Sequence, residues 1–207
     1  ITSLNSYFIL TVKNTQKYYF IEPGQTNPDP LSFASAERLP DFIVTAKTVG
    51  DELWMLGEGT TEVLMPSGNA EFPFTRISGR TYPEGCLDRN TAVVIASSSA
   101  YSVIWVTDSY SVVMGQAVPR VISSTSEEEK LREATNLRAW AFRHLRNDFY
   151  VLTSDQFTLV YDITKGLWYD WYSYGRENFR AHLGFQTKLG VYSGDSETGV
   201  IWKLVEG

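Results

Sequence analysis

Four aspartates are the residues of this chain whose chemistry could support catalysis: Asp155, Asp162, Asp170 and Asp195. Glycoside hydrolysis uses a pair of carboxyl groups that flank the scissile bond, so clustered aspartates would be required. Each of these aspartates instead falls at or next to a predicted chain reversal, where an Asp side chain accepts hydrogen bonds from nearby backbone N–H groups. The sequence therefore predicts structural roles for them and no catalytic residue.

One stretch resembles the Asp-containing turns of sialidase-type propellers. It is Ser193–Trp202, in which Asp195 is followed by Gly199 and Trp202 at a spacing longer than in those turns. Such turns are structural even in those enzymes, which also need a central cluster of arginines or paired carboxylates. The interpretation of this stretch is a turn between two strands.

The remaining candidates for chemistry are few. A single cysteine, Cys86, excludes an internal disulfide and a cysteine cluster for metal. The only histidines, His144 and His182, are too few for a zinc site, and no Gly-x-Ser-x-Gly elbow accompanies them. Carboxylates spaced for calcium are also lacking, since Asp195–Glu197 is too sparse. We expect no catalytic residue, no metal and no cofactor.

A run of aromatic residues near the middle of the second half is the candidate contact surface. Trp and Tyr are favoured anchors of protein interfaces, and arginine often accompanies them. The residues predicted for a subunit interface are Trp168, Trp171, Tyr172, Tyr174 and Arg176. Packing between neighbouring sheets explains the run about as well, and a carbohydrate platform is a further interpretation.

Composition limits the classes of function. The chain has 207 residues and a formal net charge of −6, which argues against general affinity for the DNA backbone. A local, non-specific contact with DNA, or a salt bridge between subunits, stays compatible with Arg138, Arg143, Arg146, Arg176 and Arg180, although scattered surface arginines are the favoured interpretation. No run approaches the roughly 18 apolar residues of a membrane helix, so no membrane partner is predicted. The chain begins with Ile1, and we expect it to be part of a longer protein.

The elements that carry these residues are β-strands. Residues Asn147–Tyr174 contain three apolar runs rich in aromatic and β-branched residues, separated by the turns Ser154–Gln156 and Thr164–Gly166. This pattern favours three antiparallel strands in succession. Because three strands cannot cover both faces of their own sheet, the meander must stack against similar neighbours.

Similar units recur along the chain. Their most apolar strands are centred on Trp54, Trp105, Tyr150 and Val191, at intervals of 51, 45 and 41 residues, which are the differences of these sequence numbers. A period of about 40–50 residues with several strands in each period is typical of propeller blades. The predicted fold is all-β, a propeller-like array of four to five meander blades in a single domain over residues 1–207.

Five segments outside these units also have predictions. A hairpin is expected from Tyr7–Val12 and Lys17–Ile21, and residues 22–31, which contain three prolines, form a loop. Phe33–Glu37 is ambiguous, and Pro40 ends it. Ser78–Asn90 is predicted to be a long polar connection. Ser123–Leu137 is predicted to hold the one helix, a short one near residues 124–137, capped by a serine or threonine.

Several motifs, in order, resemble the packaged-DNA stabilisation proteins, or tail accessory factors, of short-tailed bacteriophages. The early motifs are Ser32–Glu37, Glu52–Val63, Ser67–Ile77 and Glu84–Cys86; the later ones are Phe149–Thr153, Val160–Trp168, Gly194–Asp195 and Gly199–Leu204. The resemblance extends from about Tyr7 to Leu204. Met55, Thr60 and Leu64 depart from the residues usual in that family.

The resemblance implies a structural, non-enzymatic role in the virion. Proteins of that family are propeller-like, assemble as a homo-oligomeric ring below the portal, help to close the channel after packaging, and connect to the tail needle. The implied partners are therefore the portal-adaptor ring and the needle, and the implied location is the phage tail, after synthesis in the bacterial cytoplasm.

Two other hypotheses stand beside this one. The aromatic run and the Asp-containing turns would also suit a carbohydrate-binding or glycosidase-type propeller. A scaffold propeller of the kind found in host cells ranks last, because its Gly-His and Trp-Asp repeat marks are absent from the sequence.

Overall fold

The computed structural model describes residues 1–35, 41–69, 71–97 and 100–204, and strands dominate them. Sheet 1 contains β1 (Thr2–Leu4), β2 (Tyr7–Thr11), β3 (Lys17–Ile21) and β4 (Phe33–Ser35). Sheet 2 contains β5 (Ile43–Val49), β6 (Glu52–Gly57), β7 (Thr61–Pro66) and β8 (Phe74–Tyr82). Sheet 3 contains β9 (Val93–Ala96), β10 (Tyr101–Val106), β11 (Val112–Gly115) and β12 (Arg120–Val121).

The second half continues the same pattern. Sheet 4 contains β13 (Arg138–His144), β14 (Asn147–Thr153), β15 (Thr158–Asp162) and β16 (Leu167–Asp170). Sheet 5 contains β17 (Ala181–Thr187), β18 (Gly190–Asp195) and β19 (Ile201–Leu204). One helix, α1 (Thr125–Arg132), and a short 3-10 turn, Arg89–Thr91, complete the described elements.

Every sheet is an antiparallel meander, in which strands that are consecutive in sequence pair with one another. The predicted all-β fold of propeller-like meander blades is confirmed. The chain divides into two compact units, residues Ile1–Val121 with sheets 1–3 and Ile122–Gly207 with sheets 4 and 5. The single domain over residues 1–207 stays a prediction.

The repeat found in the sequence corresponds to one position in the sheets. Trp54, Trp105, Tyr150 and Val191 lie on β6, β10, β14 and β18, and each of these is the second strand of its sheet. Second strands are flanked by a strand on both sides, and three of these four residues are completely buried. The loose period therefore measures the distance from one blade centre to the next.

In the first unit, successive sheets pack face to face through large aromatic residues. Trp54 on β6 and Trp105 on β10 are fully buried, with ring centroids 6.2 Å apart in an edge-to-face arrangement. Gly115 on β11 leaves the space that the Trp54 ring fills, because a Cβ there would overlap the indole. Trp105 also donates from Nε1 to the carbonyl of Gly85 at 2.9 Å. The contact between sheets 2 and 3 thus depends on a large residue facing a glycine.

The second unit repeats this arrangement with different residues. Trp140 on β13 packs against Phe142 in a cluster with Val151, Val160 and Val191. The Trp140 ring lies over Gly184 on β17, where any Cβ would overlap three of its carbons. Sheets 4 and 5 can therefore approach closely at Gly184, because this residue has no side chain to displace the Trp140 ring.

The helix is shorter than predicted. It begins after Ser124, whose backbone N–H and hydroxyl donate to Glu127 Oε2 at 2.7 and 2.6 Å, as expected for a serine at a helix start. It ends at Arg132, five residues before the predicted end at Leu137. The prediction of helix beyond Arg132 was wrong because Thr135 bonds to Gln156 on another turn and Asn136 adopts a positive φ of 54°.

Other observed elements also begin or end at residues that differ from the sequence prediction. Ser78–Asn90 is not connection throughout, because β8 continues to Tyr82 and pairs with β7 beyond a bulge between Glu62 and Leu64. The third strand of the central meander, β16, ends at Asp170, before the end of the predicted three-strand stretch at Tyr174. Phe33–Ser35 is a strand, whereas the rest of that ambiguous segment and Pro40 lie outside the described residues. No helix in the described part is long and apolar enough to cross a membrane.

We expect Gly184→Ala to lower the free energy of unfolding by about 1–3 kcal/mol, because the added methyl overlaps the buried Trp140 ring. Gly194→Ala is the matched control in the same sheet, since no atom lies within 4 Å of a Cβ built there. Its effect should stay within about 0.5 kcal/mol. Urea denaturation of the three proteins measures the difference, and equal effects would contradict the packing described for Trp140.

Burial raises the pKa of the Cys86 thiol to about 12. The stability gained by keeping this thiol neutral is present below the ordinary thiol pKa and is lost as the pH rises towards the folded value. In the native protein at about pH 8, a disulfide reagent should therefore react with Cys86 at least about a hundredfold more slowly than in urea-unfolded protein. Rapid reaction of the native protein would show that Cys86 is not buried.

Candidate docking surface in the second unit

The five residues predicted for an interface divide into an anchored pair and an exposed group. Trp168 on β16 is only half-buried, but its ring lies 4.9 Å from that of Tyr161, centroid to centroid. Its Nε1 donates to the carbonyl of Ile122 at 2.8 Å. The indole is therefore held by its own unit, and its exposed edge is presented in a fixed orientation.

Trp171 follows β16 and is also half-buried. Its ring contacts Phe142 and Phe179, with centroid distances of 6.0 and 5.4 Å. Its backbone N–H donates to the carbonyl of Thr158 at 2.9 Å. Trp171 thus fastens the segment that follows it to the core of sheet 4.

That segment carries the exposed group. Tyr172 is 71% exposed, and Tyr174 is fully exposed to solvent. Arg176 forms a turn in which its N–H donates to the Ser173 carbonyl at 3.0 Å, and its guanidinium pairs with Glu197. The two exposed tyrosines, which contact no aromatic ring among the described residues, therefore project from a segment that is fixed at both ends.

A groove of about 480 Å³ runs beside this segment and along sheet 5. Its lining is mostly apolar, with arginine at the rim. The principal lining side chains are Tyr174, Phe179, Arg180, Trp202 and Leu204. This surface, defined here by the exposed tyrosines, Arg176 and the groove, is called the tyrosine surface below.

Asp195 organises the floor of the groove. Its Oδ1 accepts from the backbone N–H groups of Glu197 and Thr198 at 2.8 and 3.0 Å, and its Oδ2 accepts from Trp202 Nε1 at 3.1 Å and pairs with Arg180 at 2.7 Å. These donors hold the pKa of Asp195 well below its usual range, and the Glu197 N–H has the largest effect. The carboxylate is fully engaged as an acceptor, which suits a structural role.

The other aspartates named in the sequence have similar or simpler roles. Asp162 is buried and accepts from the backbone N–H groups of Thr164 and Lys165, both at 3.0 Å. Asp155 accepts from Thr135, and Asp170 pairs with Lys130. The prediction of local turn bonding is confirmed at Asp162 and Asp195, whereas Asp155 and Asp170 bond to more distant parts of the chain.

The two histidines lie on strands, His182 on β17 and His144 on β13. Burial, and next to it the positive charge of Arg138, lower the pKa of His182, so the imidazole is neutral at pH 7. His144 lies at the end of β13, opposite Asn147. Across residues 1–35, 41–69, 71–97 and 100–204, no three His, Cys, Asp or Glu side chains are placed to bind a metal.

Sequence reasoning missed Trp202, Phe179 and Arg180 as parts of this surface. A signal was present, because Asp162–Gly166 and Asp195–Gly199 share an Asp four residues before a Gly. Both glycines adopt a positive φ, of 71° and 70°, which a tight turn requires and glycine adopts without strain. The shared turn predicts that a strand follows each glycine, and these strands are β16 and β19. Only the folded chain shows that Trp202 of β19 lies beside Tyr174.

Comparison with protein families identifies one family model over almost the whole chain. The model, described as "Bacteriophage P22 Gp10, beta-propeller" and concerned with phage stabilisation, matches residues 1–206. A comparison with curated protein sequences gave no significant match.

Solved structures also show similarity. One of them is the WD40 domain of SCAP from fission yeast, with a TM-score of 0.49 and 12% sequence identity. The match covers 95% of this chain and 52% of that one, so the chain spans about half the length of the solved structure.

We expect Asp195→Asn to destabilise the protein at pH 7, because the amide loses the charge that binds Arg180 and replaces one acceptor oxygen with a donor. Since the folded pKa of Asp195 is depressed, its stabilising contribution is present above the ordinary aspartate pKa and is lost as the pH falls below it. The difference in thermal midpoint between the two proteins should therefore shrink from pH 7 to pH 3. Asp170→Asn, which removes only an exposed ion pair, is the control and should change the midpoint little at either pH.

Proposed function

Because the chain belongs to the phage stabilisation family described as Bacteriophage P22 Gp10, beta-propeller, we propose that it is a non-enzymatic virion protein that helps to retain packaged DNA. In this proposal it acts below the portal, as part of a homo-oligomeric ring between the portal-adaptor ring and the tail needle. The observation that carries the proposal is the family match across residues 1–206.

The charge of the chain favours retention by closure over retention by coating the DNA. Proteins that bind the phosphate backbone broadly do so with a positive surface, whereas this chain has a net charge of −6. Some of its arginines are also engaged within the protein, since Arg76, Arg80 and Arg180 pair with Glu62, Glu52 and Asp195. The protein would therefore hold the genome by blocking its exit, with only non-specific contacts to DNA.

Rigid walls suit such a role. Apolar clusters that contain aromatic rings lie between successive sheets within each unit. Close-packed interiors of this kind have low compressibility and transmit force without local collapse. A component that opposes the pressure of packaged DNA needs this property more than it needs an active site.

We assign the tyrosine surface to contact with a neighbouring virion component. Tyr172 and Tyr174 present large, rigid amphipathic rings, and Arg176 lies two residues beyond them. Trp168 and Trp171, although predicted with them, would support the surface from within. The carbohydrate alternative would use the same rings, so binding to a glycan array would favour it.

The function is tested with DNA-filled capsids that lack tails. Added protein should bind these particles and reduce the amount of DNA accessible to nuclease over time, and a longer member of the family should be assayed beside it. Heat-denatured chain is the control. If both the chain and the longer protein neither bind nor slow the release of DNA, the proposed function is wrong.

For the tyrosine surface, we expect Tyr172→Ser combined with Tyr174→Ser to weaken binding to the capsids at least about tenfold while leaving the thermal midpoint nearly unchanged, because both rings are solvent-exposed. Leu189→Ser, another exposed apolar residue of the same unit, is the matched control and should bind normally. Equal binding by all three proteins, measured by co-sedimentation, would remove the tyrosines from the interface.

A further inference from the structure

Three turns place four cations at one end of the second unit. Arg143 and Arg146 lie at the turn between β13 and β14, Lys165 lies between β15 and β16, and Lys188 lies between β17 and β18. Every second turn of an antiparallel meander lies at the same end of the sheet, so the first two turns share one end of sheet 4. These four cations are called the basic face below.

Hydrogen bonds fix the three turns to one another. Gln186, just before the turn of sheet 5, accepts from the Arg143 N–H at 2.8 Å and donates to the Arg143 carbonyl at 2.9 Å. Within sheet 4, the Asp148 N–H donates to Thr164 Oγ1 at 3.2 Å, and the Ile163 N–H donates to the Asp148 carbonyl at 2.8 Å. The cations of the basic face are therefore attached to backbone segments that are held in fixed relative positions.

The carboxylates at these turns are buried, whereas the cations reach the solvent. Asp148 and Asp162 are both buried. Arg143 lies 3.6 Å from Asp148 and Lys165 lies 3.6 Å from Asp162, but the two cationic side chains stay 37% and 56% exposed. These cations are therefore only partly neutralised, and the surface that they present to solvent is positive.

The other two cations of the basic face have no such partner. Arg146 and Lys188 are exposed, and neither forms an ion pair with a residue that the structure describes. At the other end of the same strands, by contrast, Arg180 pairs with Asp195 at 2.7 Å. Arg146 and Lys188 thus carry charges that no described carboxylate neutralises.

The turn that carries Arg146 has an unfavourable backbone conformation. His144 pairs with Asn147, which leaves Leu145 and Arg146 as a two-residue loop in which both residues have a positive φ, of 47° and 70°. Loops of this type favour Asn-Gly, because other residues rarely adopt that conformation. Internal packing does not explain the two residues, since both are exposed. A charged residue at a strained surface position points to a function for its charge.

We propose that the basic face binds the phosphate backbone of DNA without sequence specificity. This inference rests on the proposed function, because it names the surface through which the protein would touch the packaged genome. The tyrosine surface follows the far end of β16, whereas the basic face lies at the turn where β16 begins. DNA and the neighbouring virion component would therefore meet opposite ends of the second unit. A local contact of this kind agrees with the acidic charge of the whole chain.

The composition of the three turns favours DNA over a protein partner. Protein interfaces are centred on buried aromatic or apolar anchors, which suits the tyrosine surface. The turns of the basic face contain no Phe, Tyr or Trp, and each carries a single exposed leucine: Leu145, Leu167 and Leu189. Contact with phosphates needs only positive charges in fixed positions. A membrane with anionic lipids would need the leucines to insert, and the experiments below separate it from DNA.

The first experiment is a fluorescence-anisotropy titration of a labelled DNA duplex with the full chain. At about 50 mM salt we expect a dissociation constant on the order of 10–100 µM, and two duplexes of unrelated sequence should bind within about twofold of each other. The logarithm of the dissociation constant should rise with the logarithm of the salt concentration with a slope of about 3–4, since each phosphate contact contributes about 0.9. Absence of binding up to about 500 µM protein at low salt would overturn the proposal.

Charge substitutions test the location of the contact. Arg146→Gln and Lys188→Gln should each lower the salt slope by about 1, and together they should weaken binding at least about tenfold at low salt. Lys130→Gln removes one charge from the helix, where Lys130 pairs with Asp170, and is the matched control. It should change the dissociation constant less than about twofold. If Lys130→Gln weakens binding as much as Arg146→Gln, the basic face is not the site.

A turn variant separates the charge of Arg146 from its structural effect. Leu145→Asn combined with Arg146→Gly supplies the residues that this loop favours, so the thermal midpoint should rise by about 2–5 °C. DNA binding should weaken at least as much as in Arg146→Gln. Stability and binding would thus move in opposite directions, which a purely structural role of Arg146 does not produce. A stabilised variant that binds DNA normally would contradict the role of Arg146.

The leucines distinguish DNA from a membrane. Leu145→Ser combined with Leu189→Ser keeps every cation of the basic face and should bind the duplex as the full chain does. Binding of the full chain to vesicles of phosphatidylserine and phosphatidylcholine, lost in this variant and without binding to the duplex, would assign the face to a membrane and overturn the proposal.

The capsid assay proposed above is independent of these measurements. If the full chain slows the release of DNA from capsids but does not bind the duplex, the basic face is wrong and the proposed function stands. If it binds the duplex through Arg146 and Lys188 but does not act on capsids, the phosphate contact stands and the proposed function is wrong.

Discussion

The structure depends on one constraint: a meander of three or four short strands cannot shield both of its faces. Each sheet must therefore be covered by another, and the covering contacts supply the cores of both units. Twisted sheets do not fit against each other over their whole faces. Where a large ring on one sheet lies over a glycine on the next, the two sheets can approach closely. Trp54 over Gly115 and Trp140 over Gly184 are the two examples, one in each unit.

This packing decides which aromatic residues are available to partners. Fourteen per cent of the chain is aromatic, and much of that content lies between sheets rather than on the surface. Trp168 and Trp171 show the intermediate case, since each ring is partly exposed but held by a contact within its own unit. The tyrosines that follow have no such contact. The transition from internal packing to exposed surface therefore occurs within a few residues, between Trp171 and Tyr174.

Polar groups in this protein mainly fix turns and edges. At two chain reversals, the carboxylates of Asp162 and Asp195 accept hydrogen bonds from backbone N–H groups. At the start of the helix, the Glu127 carboxylate accepts from the Ser124 N–H. Buried carboxylates such as Glu62 and Asp195 face arginine, which makes their burial tolerable. The charged side chains described here therefore stabilise the fold itself, which agrees with the phage stabilisation family to which the chain belongs.

The sequence by itself determined the strands, their meander order and the position of each blade centre, because apolar and β-branched runs separated by Asp, Ser and Gly report local pairing directly. It also determined the family, through motifs whose order is preserved along the chain. Contacts between distant segments were decided only by the tertiary structure. Nothing local in Thr135 and Asn136 shows that they bond to the turn at Asp155 and Gln156 and so end the helix, and β8 extends to Tyr82 only because β7 is there to pair with it. Likewise, Trp202 has the pattern of an ordinary strand residue, and only the fold places it beside Tyr174 in one groove, because that contact joins segments far apart in the sequence.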